Sequence, residues 1–181
     1  MKILGLTYYR QEGEIFLKPD SALLNNDKPF FLPAFSKQLY AIPAIALRIN
    51  RLGRNVQQKF AYRYFDAWAP AINIINADSL NFIEQTAIDN SLPIGSFKNI
   101  EAPISYSLHI NNQQLQLTDQ QLTTTQAQAL EKITRFITVR MGDLLVLEFQ
   151  TQPIALDKEM LFMAQQPKDL TTEQIFYCKI K

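Results

Sequence analysis

At 181 residues, 47% of them hydrophobic and 19% charged, the chain suits one domain with a full buried core. Eighteen basic residues against 17 acidic ones leave a net charge of +1, without the basic excess that a nucleic-acid binder carries. One cysteine, Cys178, excludes an internal disulfide, and one histidine, His109, excludes a His-rich zinc site.

The opening MKILGLTYYRQEGE has too short an apolar run for a signal peptide. No stretch reaches the roughly 20 apolar residues that span a bilayer. The expectation is a cytoplasmic, reduced, soluble protein that binds neither membrane nor nucleic acid. A single domain over 1–181 is expected, with a short irregular N-terminal segment (1–35) and a core (36–181).

Ile3 to Tyr8 reads as a short strand. Three prolines and an Asn-Asn-Asp run make 18–35 turns and extended pieces rather than a helix. Leu39 to Ile49 reads as the next strand. Period two puts Ile42, Ala44, Ala46 and Arg48 on one face, with Ile45, Leu47 and Ile49 on the other. Gly53 marks a turn, and Asn55 is the expected N-cap of a helix carrying Val56, Phe60 and Tyr64 on one side. RINRLGR (48–54) is the one dense basic cluster, explained more cheaply as a solvated hairpin than as a phosphate track.

Trp68 to Asn76 predicts a mostly buried strand, and 81–90 a polar helix or loop. ISYSLHI (104–110) alternates cleanly, Asn111-Asn112 turns, and QQLQL (113–117) completes a hairpin. Thr123 with Gln126 predicts a capping box. Behind it Ala127, Leu130, Ile133 and Ile137 form the stripe of a helix ending near Arg140. Gly142 then breaks into the strand LLVLEF (144–149). Many strands with two or three helices indicate a β-rich α+β fold.

Residues i and i+2 of a strand point the same way, so positions 42 and 44 aim at one point, and a neighbouring strand supplies a third from Asn73. That geometry suits an oxygen-ligated Mg²⁺ or Mn²⁺, but Ile and Ala have no oxygen to donate. A carboxylate about 4 Å from one positive charge gains roughly 4 kcal/mol at an effective dielectric of 20. Micromolar binding is only about 8 kcal/mol in total. An Asn73 amide cannot replace three acids.

The segments AIPAIALRINRLGRN (41–55) and YFDAWAPAINIINADSL (64–80) resemble the core of the fumarylacetoacetate hydrolase family, with its bacterial 2-hydroxyhepta-2,4-diene-1,7-dioate isomerase and acylpyruvate hydrolase-like branch. The resemblance implies a twisted β-roll, a homodimer, small keto-acid substrates and a divalent metal held by E-x-E and a following Asp. Those positions fall here on Ile42, Ala44 and Asn73. FLKPDSALL (16–24) is similar to the family's F-x-K-P-x-S-A-L segment and keeps Lys18, Pro19 and Ser21. The family's H-x-x-E dyad has no counterpart in TYYRQEGEI. Its substrate-holding Arg and Gln map to Ala77 and Leu80, with Asp78 retained between them. Its active-site Lys maps to Thr86, while Asp89, Ile94 and Gly95 of that run persist. MGDLL (141–145) matches a strand start, and the T-G-T-P motif that follows is replaced by Leu147, Glu148, Phe149 and Gln150.

Positions that shape the backbone are kept, and those that perform the chemistry are replaced. The leading expectation is a catalytically inactive protein of this fold, without cofactor or metal. It would act as a binding or scaffolding partner, as a homodimer or with an active paralogue. The alternatives are a metal-independent hydrolase, isomerase or decarboxylase using Lys18, Asp78 or Glu148, and a sensor of an unidentified small metabolite. Candidate cleft residues are Lys18, Arg48, Asn73, Asp78, Thr86 and Glu148. Glu148 is expected at a strand edge facing water, and Arg48 in an ion pair with Asp66 or Asp78 or on an anionic ligand. His109 is expected exposed, and Cys178 a buried structural thiol.

Overall fold

The computed structural model describes residues 1–181 apart from 9–12, 26, 80, 101–102 and 169–170. Strands β1 (Ile3–Thr7) and β2 (Glu14–Lys18) open it, followed by the two-residue β3 (Leu23–Leu24). The long β4 (Tyr40–Ile49) and β5 (Phe65–Ile75) flank a 3-10 turn at Gln58–Arg63. A short helix α1 (Phe82–Thr86) leads to β6 (Leu92–Pro93) and β7 (Lys98–Asn99). The hairpin β8 (Ser105–Ile110) and β9 (Gln113–Thr118) precedes helix α2 (Gln126–Phe136). Then come β10 (Leu144–Glu148), β11 (Ile154–Ala155), β12 (Leu161–Lys168) and β13 (Thr171–Lys179).

The main sheet runs β2-β1-β10-β4-β5-β7 with β11 added on β4, and a second sheet runs β13-β12-β8-β9. The strand-rich α+β expectation holds. The N-terminal segment is less irregular than expected, because β1 enters the main sheet parallel to β10 and β2 follows it antiparallel. β1 is the short opening strand expected at Ile3 to Tyr8; no strand is expected at β2 or β12.

Period two divides the main sheet into two unlike faces. Ile45, Leu47, Trp68 and Leu147 pack outward against Tyr106, Phe162 and Phe176 of the second sheet and Leu130 and Ile133 of α2, forming the large core. Trp68 and Tyr106 stack with ring centres 5.8 Å apart, and the Tyr106 hydroxyl donates to the Ala44 carbonyl at 3.2 Å. The other face carries small side chains: Ala44, Ala46 and Ala71 pack with Ile3, Phe16, Val146 and Ile94 in a second core. These alanines leave room for the Phe16 ring of β2 and for the β3–β6 pair to pack on that face. Gly5 belongs to the same economy, since a Cβ there would overlap the Phe16 ring.

Three local readings need correction. Asn55 sits in the left-handed region (φ +51°), so it ends a turn instead of capping a helix. The segment behind it is a 3-10 turn that starts after Gln57, with Phe60 exposed. The N-cap of α2 is Thr125, in a capping box with Gln128, two residues beyond the expected Thr123 and Gln126. Helix α2 stops at Phe136, short of Arg140, and buries Ala129, Leu130, Ile133 and Thr134. Gly142, at φ +88°, turns the chain into β10 as expected.

Candidate functional site

The inner face of the curled sheet gathers a polar cluster at one end. Register places Ile42 opposite Asn73 and Ala44 opposite both Ala71 and Glu148, so all five side chains share that face. Strand β4 lies between β10 and β5. Glu148 therefore reaches across β4, over the methyl of Ala44, and its Oε1 accepts from Asn73 Nδ2 at 2.7 Å. A larger residue at 44 would block that path.

Glu148 is 2% exposed, which corrects the expectation of a water-facing edge acid. The reason is topological: β10 is an interior strand with β1 on one side and β4 on the other. The carboxylate also accepts from the Tyr8 backbone N–H at 3.4 Å and from the Thr7 hydroxyl. Burial pushes its pKa up to about 7, and these donors and the Lys18 charge hold it from rising further.

Lys18, at the end of β2, is fully buried. Its Nζ donates to the Ile74 carbonyl at 2.9 Å and to the Ser91 hydroxyl at 2.7 Å. Desolvation lowers it to about 7 against the opposing pull of Glu148. The rest of its segment is scaffold. Ser21 Oγ donates to Asp89 at 2.5 Å, and the Ile94 N–H bonds the Leu24 carbonyl. The residues kept in FLKPDSALL and around Asp89 thus hold two chain segments together.

A cavity of about 530 Å³ opens onto this cluster, walled by Tyr8, Ile42, Thr123, Glu148 and Gln150 to Pro153. Two buried oxygens here have no partner among the described residues: Asn73 Oδ1 beside Glu148, and Thr151 Oγ1 in the cavity wall.

The structure joins Lys18, Asn73 and Glu148 and leaves the other candidates elsewhere. Arg48 is exposed, its Nε donating to Asp66 at 2.8 Å, so the structural ion pair is what forms. Asp78 is exposed and lines a different cavity with Ser36 and Glu84. Thr86 is buried, but its hydroxyl donates back to the Phe82 carbonyl within α1. Cys178 is buried as expected, and burial raises its thiol to about 11. His109 is half-buried on the outer side of β8. Leu80 and residues 9–12 of the segment expected to hold the His-Glu dyad lie outside the described residues. Sequence reasoning missed Thr7, Ser91 and Thr151. Thr7 had a signal, because it continues the period of Ile3 and Gly5 on the inner face.

As a donor set for a divalent cation, positions 42, 44 and 73 do not fit. Ile42 and Ala44 carry no oxygen, and Asn73 offers a single neutral amide oxygen where three carboxylates would be needed. Among the described residues no three His, Cys, Asp or Glu side chains converge on one ion. No helix among them is long and apolar enough to cross a membrane.

Comparison with known proteins places this geometry. Residues 7–147 match the Fumarylacetoacetate (FAA) hydrolase C-terminal family. The fold is similar to that of a protein from Yersinia pestis CO92 assigned to the fumarylacetoacetate hydrolase family, with TM-score 0.83, 17% identity, and coverage of 99% of this chain and 92% of that one. It is similar also to a 2-hydroxyhepta-2,4-diene-1,7-dioate isomerase from Mycobacterium marinum (TM-score 0.80, 17% identity, 99% and 73% covered). A third is the fumarylpyruvate hydrolase from Pseudomonas aeruginosa in complex with Mn²⁺ and pyruvate (TM-score 0.80, 15% identity, 99% and 88% covered). No curated protein matches the sequence.

Proposed function

We propose that this chain, which belongs to the fumarylacetoacetate hydrolase family, is a non-catalytic member whose cleft binds a small molecule without metal-dependent turnover. The observation that carries the reading is the Glu148–Asn73 hydrogen bond laid across Ala44. It occupies the face to which the family resemblance assigns a divalent ion, and two of the three assigned positions have no donor atom. The unpartnered Thr151 oxygen in the wall of the 530 Å³ cavity supports a ligand that donates a hydrogen bond there. A cytoplasmic role, with the chain pairing with itself or with an active paralogue, belongs to the same proposal.

Calorimetry with Mn²⁺ and Mg²⁺ tests it. The expected outcome is no saturable binding, and stoichiometric uptake at micromolar affinity would overturn it.

A metal-independent hydrolase, isomerase or decarboxylase is the second reading, favoured by one observation: Lys18 and Glu148 are both buried, feel each other's charge, and have pKa values near 7. Asp78, exposed elsewhere, drops out of it. Turnover across a panel of small keto-acids, abolished by Glu148→Gln, would establish this reading over the first.

A further inference from the structure

A second cavity, about 470 Å³, lies at the hairpin end of β4 and β5. Ile42 is seven residues along the strand from Ile49, roughly 23 Å away. Arg51, Arg54 and Arg63 line this cavity together with Asn55, Phe60 and Tyr64. Residues 51–63 carry Arg51, Arg54, Lys59 and Arg63 and no carboxylate, in a chain whose charges nearly balance overall.

Among the described residues none of the three arginines is in an ion pair. The nearby acids are engaged elsewhere: Asp66 with Arg48 at 2.8 Å, and Glu131 with Gln58 at 2.8 Å and Arg135 at 3.5 Å. Holding like charges together without counter-charge is unfavourable, so their convergence calls for an anion.

The arginines are also held in place. The Arg51 guanidinium lies over the Tyr64 ring, 5.8 Å from its centre. Arg63 lies 5.4 Å from the Phe60 ring centre and its Nε donates to the Tyr62 hydroxyl at 2.9 Å. Arg54 Nη1 donates to the Phe136 carbonyl at 2.6 Å. The floor is fastened to α2, because the Asn55 N–H bonds the Thr134 carbonyl at 3.0 Å and the Val56 N–H bonds the Thr134 hydroxyl at 2.9 Å. These contacts use one N–H of Arg54 and one of Arg63 and leave the other guanidinium N–H groups for phosphoryl oxygens.

We propose that the convergence of Arg51, Arg54 and Arg63 on this cavity forms a binding site for the phosphoryl group of a small phosphorylated metabolite. Its volume suits one small ligand. The basic cluster, which the sequence made look like a solvated hairpin, is then a site independent of the cleft.

The test uses pyrophosphate as probe, titrated into the full chain by calorimetry at constant ionic strength. Saturable one-to-one binding is expected, weakened by about tenfold or more in the double variant Arg51→Gln/Arg63→Gln. The same binding should be unchanged in Lys158→Gln, an exposed cation elsewhere. Both arginines are exposed, so the double variant should keep its circular dichroism spectrum. Absence of saturable binding, or equal binding by the double variant, would overturn the proposal. So would binding of a short oligoribonucleotide where pyrophosphate fails, since the partner would then be a macromolecule.

Discussion

Glu148 and Lys18 are ionisable groups that burial drives toward their neutral forms from opposite directions. The Glu148 value, about 7, lies above the ordinary 4.5, so its contribution to stability is complete below about 4.5 and is lost as pH rises to 7. The Lys18 value, also about 7, lies below 10.5, so its contribution is complete above about 10.5 and is lost as pH falls to 7. Together they place a minimum of stability near neutral pH. Urea denaturation between pH 4.5 and 10.5 should show it. Glu148→Gln should flatten the acid limb and Lys18→Met the alkaline limb. A profile that neither substitution alters would refute the buried pair. This chemistry was half legible in the sequence. The loss of donors at 42 and 44 could be read directly, but the role of Glu148 could not. Whether a strand acid meets water depends on its neighbours, and a parallel partner 140 residues away in sequence leaves no periodic trace.

At the scale of elements, periodicity identified most strands while caps were misplaced by two residues. The run Thr123-Thr124-Thr125 offers three hydroxyls, each with a Gln three residues on or nearby, and only packing of Leu130 and Ile133 into the core selects Thr125. Thr125→Ala should therefore cost about 1 kcal/mol by chemical denaturation, while Thr123→Ala should leave α2 capped. Asn55 shows the opposite ambiguity: the side chain that favours an N-cap also tolerates positive φ. Between β1 and β2 the determinant is volume. Gly5→Ala should destabilise by about 1–3 kcal/mol, and Phe16→Leu in the same chain should recover part of that loss. Additive effects in the double-mutant cycle would show that the two residues do not meet as described.

Across the whole molecule, the large core is shared by both sheets and α2, so the second sheet buries its apolar face only against the first. Trp68, the only tryptophan, stacks on Tyr106 of the second sheet. Its fluorescence and the far-ultraviolet circular dichroism should then report one coincident thermal transition. Two separated midpoints would mean that the sheets unfold independently. The fold was legible at this scale because the scaffold motifs, from FLKPDSALL to Gly95, bind chain segments to one another. Those contacts do not involve the side chains at 42, 44 and 73.

Register also dictates what restoring acids would do. Carboxylates installed together at 42, 44 and 73 would crowd against Glu148 in a trough with little water to screen them. Such a revertant should be held open by its own repulsion, collapse to the native roll on addition of manganese, and melt again in chelator. In the present chain Ile42 and Ala44 put alkyl groups at two of those three positions, so that crowding does not arise.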